Sequence, residues 1–196
     1  IFNKMENLEI LDLGYNQLSD LPIGLFGNLT RLLVLKVSDN VIKYINMGAF
    51  SGNVKLQTLE VQNNRIVSVF KDHSHELTNL QFVNLSHNVI QNIDRYTFVN
   101  TTGIQTLDLR HNDLMLITKA SFAGLKPSTT LLVDSSATCC FAKTTQCVSK
   151  FPKPAYLTCA RMLNDFLLRL SMWTLGVSSV ICNGVVFYLR WVDVRS

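Results

Sequence analysis

From Leu8 to about Leu125 the chain repeats one pattern every 24 residues. Leu8, Leu11, Leu13, Asn16, Leu18 and Leu21 are answered by Leu32, Leu35, Val37, Asn40, Ile42 and Ile45. Leu56, Leu59, Val61, Asn64, Ile66 and Val69 follow, then Leu80, Val83, Leu85, Asn88, Ile90 and Ile93. Ile104, Leu107, Leu109, Asn112, Leu114 and Ile117 complete five copies. A unit this short cannot close an apolar core on its own. Each copy has to stack on its neighbours, so the chain is confined to a one-dimensional array with a continuous core.

The short LxL segments predict one strand per repeat, stacked into a parallel sheet with alternate residues pointing inward. The recurrent Asn falls where the chain leaves the strand, and its amide can bond the neighbouring turn's backbone to form a ladder. Phe2, Phe26, Phe50, Phe98 and Phe122 keep the same 24-residue step. The pattern resembles the leucine-rich repeat, and the Phe positions resemble its animal extracellular type. Phe2 is then expected to belong to a repeat begun upstream, so the chain reads as a fragment. The third repeat departs: Ser74 stands where Phe is expected, and Phe70 is the candidate to fill the space. His73 and His75 lie on that convex edge without an adjacent third ligand, so they read as loop residues and no metal site is expected.

Residues that alternate with the core positions are expected on the concave surface. The central column is Asp12, Lys36, Glu60, Asn84 and Asp108. Ile10, Val34, Thr58, Phe82 and Thr106 flank it on one side, and Gly14, Ser38, Gln62, Ser86 and Arg110 on the other. Asp12, Lys36, Glu60, Phe82 and Asp108 are the candidate contacts for a peptide or protein ligand, with Phe82 as an apolar anchor. Sequons at Asn28, Asn84 and Asn100 are candidate glycosylation sites. A glycan on Asn84 would obstruct the concave face, whereas Asn28 and Asn100 fall in the outer connections.

After Leu125 the repeat lapses, although Leu131-Leu132-Val133 can add a capping strand. Cys139, Cys140, Cys147 and Cys159 are confined to this stretch. Four cysteines in a loop-rich segment beside sequons predict two disulfides, with three possible pairings. From Leu170 to Leu189 no residue is charged, and Arg169 and Arg190 bracket the run. About twenty helical residues span roughly 30 Å, the thickness of a bilayer's hydrocarbon core, so Leu168–Arg190 is expected to cross a membrane. Asn183 within it is costly against lipid and is expected to face another helix or water. Cys182 reads as a small free thiol.

The net charge of +4 is partly local, because Lys126, Lys143, Lys150, Lys153 and Arg161 face one acid, Asp134, in the stretch after the repeats. No basic run interleaved with aromatics points to nucleic acid. No nucleophile–base–acid set and no phosphate loop is present, so neither an enzyme nor a cofactor is expected.

The order of repeats, CC-x6-C (Cys139, Cys140, Cys147), Cys159-Ala-Arg-Met-Leu163, and the span with Asn183 resembles leucine-rich-repeat-containing G-protein-coupled receptors, in particular the relaxin-receptor-like branch. The resemblance implies an α/β leucine-rich-repeat solenoid with a parallel sheet on its concave face, a cysteine-containing hinge and the first helix of a seven-helix bundle. The boundaries are then repeats 1–125, cap and hinge 126–163, transmembrane helix 164–190 and first intracellular loop 191–196. It also implies a plasma-membrane receptor with its N-terminal part outside, in contact with membrane lipid, binding a peptide or protein hormone and coupling to a heterotrimeric G protein. Relatives grip a basic hormone with concave acids, which nominates Asp12, Glu60 and Asp108, although Lys36 interrupts them. A single-pass leucine-rich-repeat adhesion or innate-type receptor is the alternative.

Overall fold

The computed structural model describes residues 2, 4–69, 77–142 and 146–151. Seven strands form one parallel sheet in chain order: β1 (Ile10–Asp12), β2 (Val34–Lys36), β3 (Thr58–Glu60), β4 (Phe82–Asn84), β5 (Thr106–Asp108), β6 (Thr130–Ser135) and β7 (Gln146–Phe151). The first five strands sit on the LxL segments, and their register reproduces the 24-residue step. Leu11 pairs with Leu35, then Leu59, Val83, Leu107 and Leu131 follow in one line. All of these except the terminal Leu11 are fully buried.

The Asn ladder is present and its wiring is uniform. Asn64 Nδ2 donates to the Val37 carbonyl of the preceding repeat and to Val61 and Gln62 in its own, at 3.0, 3.1 and 3.2 Å. Its Oδ1 accepts the Ile42 N–H at 3.0 Å. Asn40, Asn88 and Asn112 repeat the scheme, accepting from Leu18, Ile66 and Ile90. One buried amide therefore closes its own turn and ties down the turn before it. The residue just ahead of each Asn adopts a left-handed conformation: Tyr15, Asp39, Asn63, His87 and His111 have φ of 54°, 56°, 53°, 53° and 56°. Asp, Asn and His tolerate that region better than most residues.

The opposite wall is built from Phe. Phe26, Phe50 and Phe98 are fully buried and Phe122 nearly so, and Phe2, Phe26 and Phe50 stack at centroid spacings of 6.0 and 5.8 Å. The connections around them are mainly successive i→i+3 turns rather than helices, as in Leu25 N–Pro22 O (3.1 Å) and Leu29 N–Phe26 O (2.8 Å). Among the described residues, helical turns occur only at Met47–Phe50, which is 3-10, and at α1 (Ser136–Cys139). The α/β expectation is thus corrected to a β-solenoid with a turn-built convex side. Each connection must cross the core twice within one repeat, and that leaves no length for a helix. Gly124 shows how tightly these arms pack: its φ is +100°, and a Cβ there would lie 2.2 Å from the Phe98 carbonyl oxygen.

Asn53 occupies the position held by Leu29 and Leu77 in neighbouring repeats and is fully buried. Its Nδ2 donates to the Phe26 and Leu29 carbonyls at 3.0 and 2.9 Å, while its Oδ1 has no partner. Both carbonyls also accept a backbone N–H, from Leu29 and Leu32. An unpaired buried oxygen costs about 1–3 kcal/mol, which exceeds what the two shared bonds return. Asn53→Leu is therefore expected to stabilise the array by about 1 kcal/mol. A lower denaturation midpoint for that variant would count against this expectation.

Past Leu125 the sheet does not stop. β6 covers the anticipated Leu131–Val133 cap, and β7 adds a further strand in register, Thr130 with Gln146 and Leu132 with Val148. Among the described residues no helix is long and apolar enough to cross a membrane. The run Leu168–Arg190 with Asn183, together with Cys159, Phe70, His73, Ser74 and His75, lies outside the described residues.

Candidate functional site: the concave face

The concave ladder aligns as the alternation requires. Asp12, Lys36, Glu60, Asn84 and Asp108 are successive register partners, and the line runs on into Leu132 and Val148. Ile10, Val34, Thr58, Phe82, Thr106, Thr130 and Gln146 form the parallel row. Leu132 and the exposed Val148 make the C-terminal end of the column apolar. The 24-residue step did not reveal this, because the strand that carries Val148 follows its neighbour after 16 residues.

Alignment brings the candidate charges together, and the side chains then neutralise one another. Lys36 Nζ lies 3.4 Å from Glu60 Oε1, in a partly exposed pair of the kind worth at most about 1 kcal/mol. Asp108 is held much more tightly. Its Oδ1 accepts the Arg110 backbone N–H and Nε, each at 3.0 Å, and its Oδ2 accepts Nη2 at 2.6 Å. The Asp108 side chain is only 5 % exposed, so this fork keeps its charge from the solvent. The bonds to Asp108 hold the Arg110 guanidinium above its ordinary range, and Asp134 adds to the same effect. The guanidinium therefore keeps its charge through physiological pH.

Asp12 and Asn84 have local structural roles as well. Asp12 Oδ1 accepts the Gly14 N–H at 2.9 Å, and Asn84 Oδ1 accepts both the N–H and the hydroxyl of Ser86, at 3.0 and 2.7 Å. An Asx side chain bonding two residues on helps each strand to end where it does. The acids do not form an open acidic strip, because Glu60 and Asp108 are already paired within the chain. Phe82 is half-buried between Thr58 and Thr106, offering part of its ring as a platform.

Of the sequons, Asn28 is exposed and Asn100 half-buried, both in turns of the connecting arms, whereas Asn84 lies in β4. Cys139 and Cys147 are bridged, with Cα atoms 5.7 Å apart, and Cys140 is also disulfide-bonded. The bridge ties the end of α1 to β7 and so fixes the last turn of the solenoid. A feature not anticipated from the sequence is the pairing of His87 with His111, whose rings stack 4.0 Å apart on the left-handed column. Their 24-residue spacing was the available signal.

A stacked parallel sheet, an Asn ladder and a Phe wall define a leucine-rich-repeat solenoid. The chain belongs to the leucine-rich-repeat family, whose pattern matches residues 6–66, 54–114 and 78–136. No curated protein sequence matches it. Among solved structures, the chain is similar to one in the TLR13–ssRNA13 complex, with 26% identity, a TM-score of 0.58 and 64% of this chain covered. It is likewise similar to a chain of the Drosophila Toll–Spätzle complex, with 25% identity, a TM-score of 0.58 and 67% of this chain covered. It spans 18% of the length of each of these relatives.

Proposed function

We propose that the chain is part of a cell-surface receptor whose leucine-rich-repeat face binds a peptide or protein ligand outside the plasma membrane. The observation that carries this reading is the concave ladder, which continues unbroken from β1 into the disulfide-held β7. Strain or contact on the face can thus reach β7 through paired strands. In this reading Leu168–Arg190 crosses the lipid bilayer as the first helix of a rhodopsin-like bundle, Asn183 packs against its neighbours, and the complete receptor engages a heterotrimeric G protein.

The second reading is a single-pass innate or adhesion receptor, and it is favoured by the similarity to chains of the TLR13 and Toll–Spätzle complexes. One of those relatives is in complex with single-stranded RNA, so lack of a basic run is a weak argument against nucleic acid. The stronger argument comes from this chain's own central columns. Asp12, Glu60 and Asp108 outnumber Lys36 and Arg110, and such a balance does not suit a phosphate backbone.

The complete coding sequence, tagged ahead of Ile1 and expressed in animal cells, should stain on intact cells and shift on treatment with a glycan-removing amidase. Asn28→Gln and Asn100→Gln should each remove one step of that shift, and Asn84→Gln none. A glycan-free product confined to the cell interior would sink the receptor reading. Counting apolar spans beyond Ser196 separates the two versions: six more support the rhodopsin-like bundle, and a cytoplasmic domain supports the single-pass receptor.

A further inference from the structure

Beyond each ladder Asn the chain turns onto one flank of the solenoid, and burial there alternates residue by residue. Asn64, Ile66, Asn88 and Ile90 are buried, whereas Arg65, Val67, Val89 and Gln91 are exposed. Asp113 and Met115 continue the exposed positions in the next repeat. Backbone bonds hold these segments side by side. The Arg65 N–H donates to the Ile42 carbonyl at 2.9 Å and the Val67 N–H to that of Lys43 at 3.1 Å. The Val89 N–H donates to Ile66 at 3.1 Å and the Met115 N–H to Gln91 at 2.8 Å. The exposed side chains therefore stand in two rows, Arg65–Val89–Asp113 and Val67–Gln91–Met115, with rungs about 4.8 Å apart.

Val67, Val89, Met115 and Leu116 on this flank are 38 %, 42 %, 75 % and 72 % exposed, and clustered apolar exposure of this kind marks a contact surface. Arg65 and Asp113 form no ion pair with any described residue. The sequons lie elsewhere, Asn28 and Asn100 in the connecting arms and Asn84 in β4, so glycans on them would leave the flank bare. Charge order along the rows selects the partner. Arg65 and Asp113 stand one repeat to either side of Val89. A two-fold axis running along the chain direction over Val89 and Gln91 reverses the repeats and keeps each row over itself. It sets Arg65 against Asp113 twice, Val67 against Met115 twice, and Val89 and Gln91 each against its own copy. Every charge meets its opposite, the apolar residues meet one another, and two facing amides can each donate and accept. That is the self-complementarity an isologous dimer requires.

We propose that this flank is a self-association surface, on which a second copy of the chain docks antiparallel about an axis over Val89 and Gln91. The contact is independent of the concave-face reading and leaves that face open. Electrostatics fix its register. An axis moved one repeat towards the N-terminus would set Arg65 on its own copy, and one moved the other way would set Asp113 on its own copy. Like charges directly opposed are destabilising. A parallel arrangement would set Arg65 against Val67 and Asp113 against Met115, leaving both charges unpaired. The patch spans three repeats, so it belongs with transient contacts of less than about 1,200 Å². Association should therefore be reversible and weakened by salt.

The test uses the purified full chain in detergent micelles, with single cysteines introduced at these exposed positions and oxidised under mild conditions. Disulfide-linked dimer is scored on non-reducing gels against the wild type. Val89→Cys should link to its own copy, because the axis passes over it. Val67→Cys and Met115→Cys should each stay monomeric alone and link when the two are mixed. In the Val89→Cys background, Arg65→Asp should lower the dimer yield about fivefold or more, since two attractive contacts become repulsive. The exchanged pair, Arg65→Asp with Asp113→Arg, should restore it. No dimer at any of these positions overturns the proposal. So does Val89→Cys dimer that is indifferent to Arg65→Asp, as an association through residues beyond β7 would be, or that the exchanged pair fails to restore. Val67→Cys linking to itself as readily as Val89→Cys overturns the antiparallel register.

Discussion

Asn88→Ala is expected to destabilise the solenoid by about 3–5 kcal/mol, far more than a typical surface substitution. The wild-type amide donates to the Val61, Leu85 and Ser86 carbonyls at 3.1, 3.1 and 3.2 Å, and its oxygen accepts the Ile66 N–H at 3.0 Å. These losses are unequal. Val61, Leu85 and Ser86 keep second donors, from Asn64, Asn112 and the Asn63 N–H. The Ile66 N–H belongs to a fully buried residue and is left with nothing to bond. Most of the cost is this orphaned donor together with the surrounding lost bonds. Asn88→Asp should be no better, because the carboxylate accepts from Ile66 but turns a second oxygen towards three carbonyls. Asn79→Ala is the control inside the array. Its exposed amide donates to the Val54 carbonyl at 2.8 Å, so losing it should cost no more than about 1 kcal/mol. Denaturant midpoints of the full chain would decide between these outcomes, and equal losses for Asn79 and Asn88 would refute the structural role given to the ladder.

Phe50→Ala should cost a comparable 3–5 kcal/mol, about the range found for removing a buried aromatic ring. Phe50 is fully buried and stacks on Phe26 at 5.8 Å with 24° between the rings. Its neighbours lie on backbone arms pinned by short turns, so the cavity cannot collapse. The effect should also be distributed unevenly. In a linear array each repeat is stabilised mainly by contact with the next, so a weak link uncouples the blocks on either side. Hydrogen exchange should show faster opening on the N-terminal side of Phe50 than on the C-terminal side, where the disulfide-held cap remains. Phe50→Leu should recover much of the loss. Uniform acceleration across all strands would argue that the array unfolds as a single unit instead.

Much of this architecture was legible in the sequence because it depends on periodicity. The Leu, Asn and Phe positions share one step, and their chemistry separates their roles. Leu supplies side chains for the core, Asn an amide for the turn, and Phe a ring for the convex wall. The concave rows were legible for the same reason, since alternation along a strand leaves no freedom about which residues face out. Signals that do not repeat were harder to read. Asn53 looks like a surface residue until it is found at a Leu position of the core. β7 was hidden because it follows β6 after a shorter, disulfide-closed connection that breaks the step. The turn-built convex side was also missed, because apolar spacing shows which residues are buried but not whether their backbone bonds to the third or the fourth residue along.

The sequence alone determined that this protein is a stack of repeats, which residues enter its core and which face its concave surface. Periodic positions carry that information locally, one side chain at a time. Only the tertiary structure decided what the concave charges do. Lys36 meets Glu60 from the neighbouring repeat, while Arg110 folds back on Asp108 within its own strand turn. Whether a charge is neutralised or available depends on distances of a few ångströms between side chains.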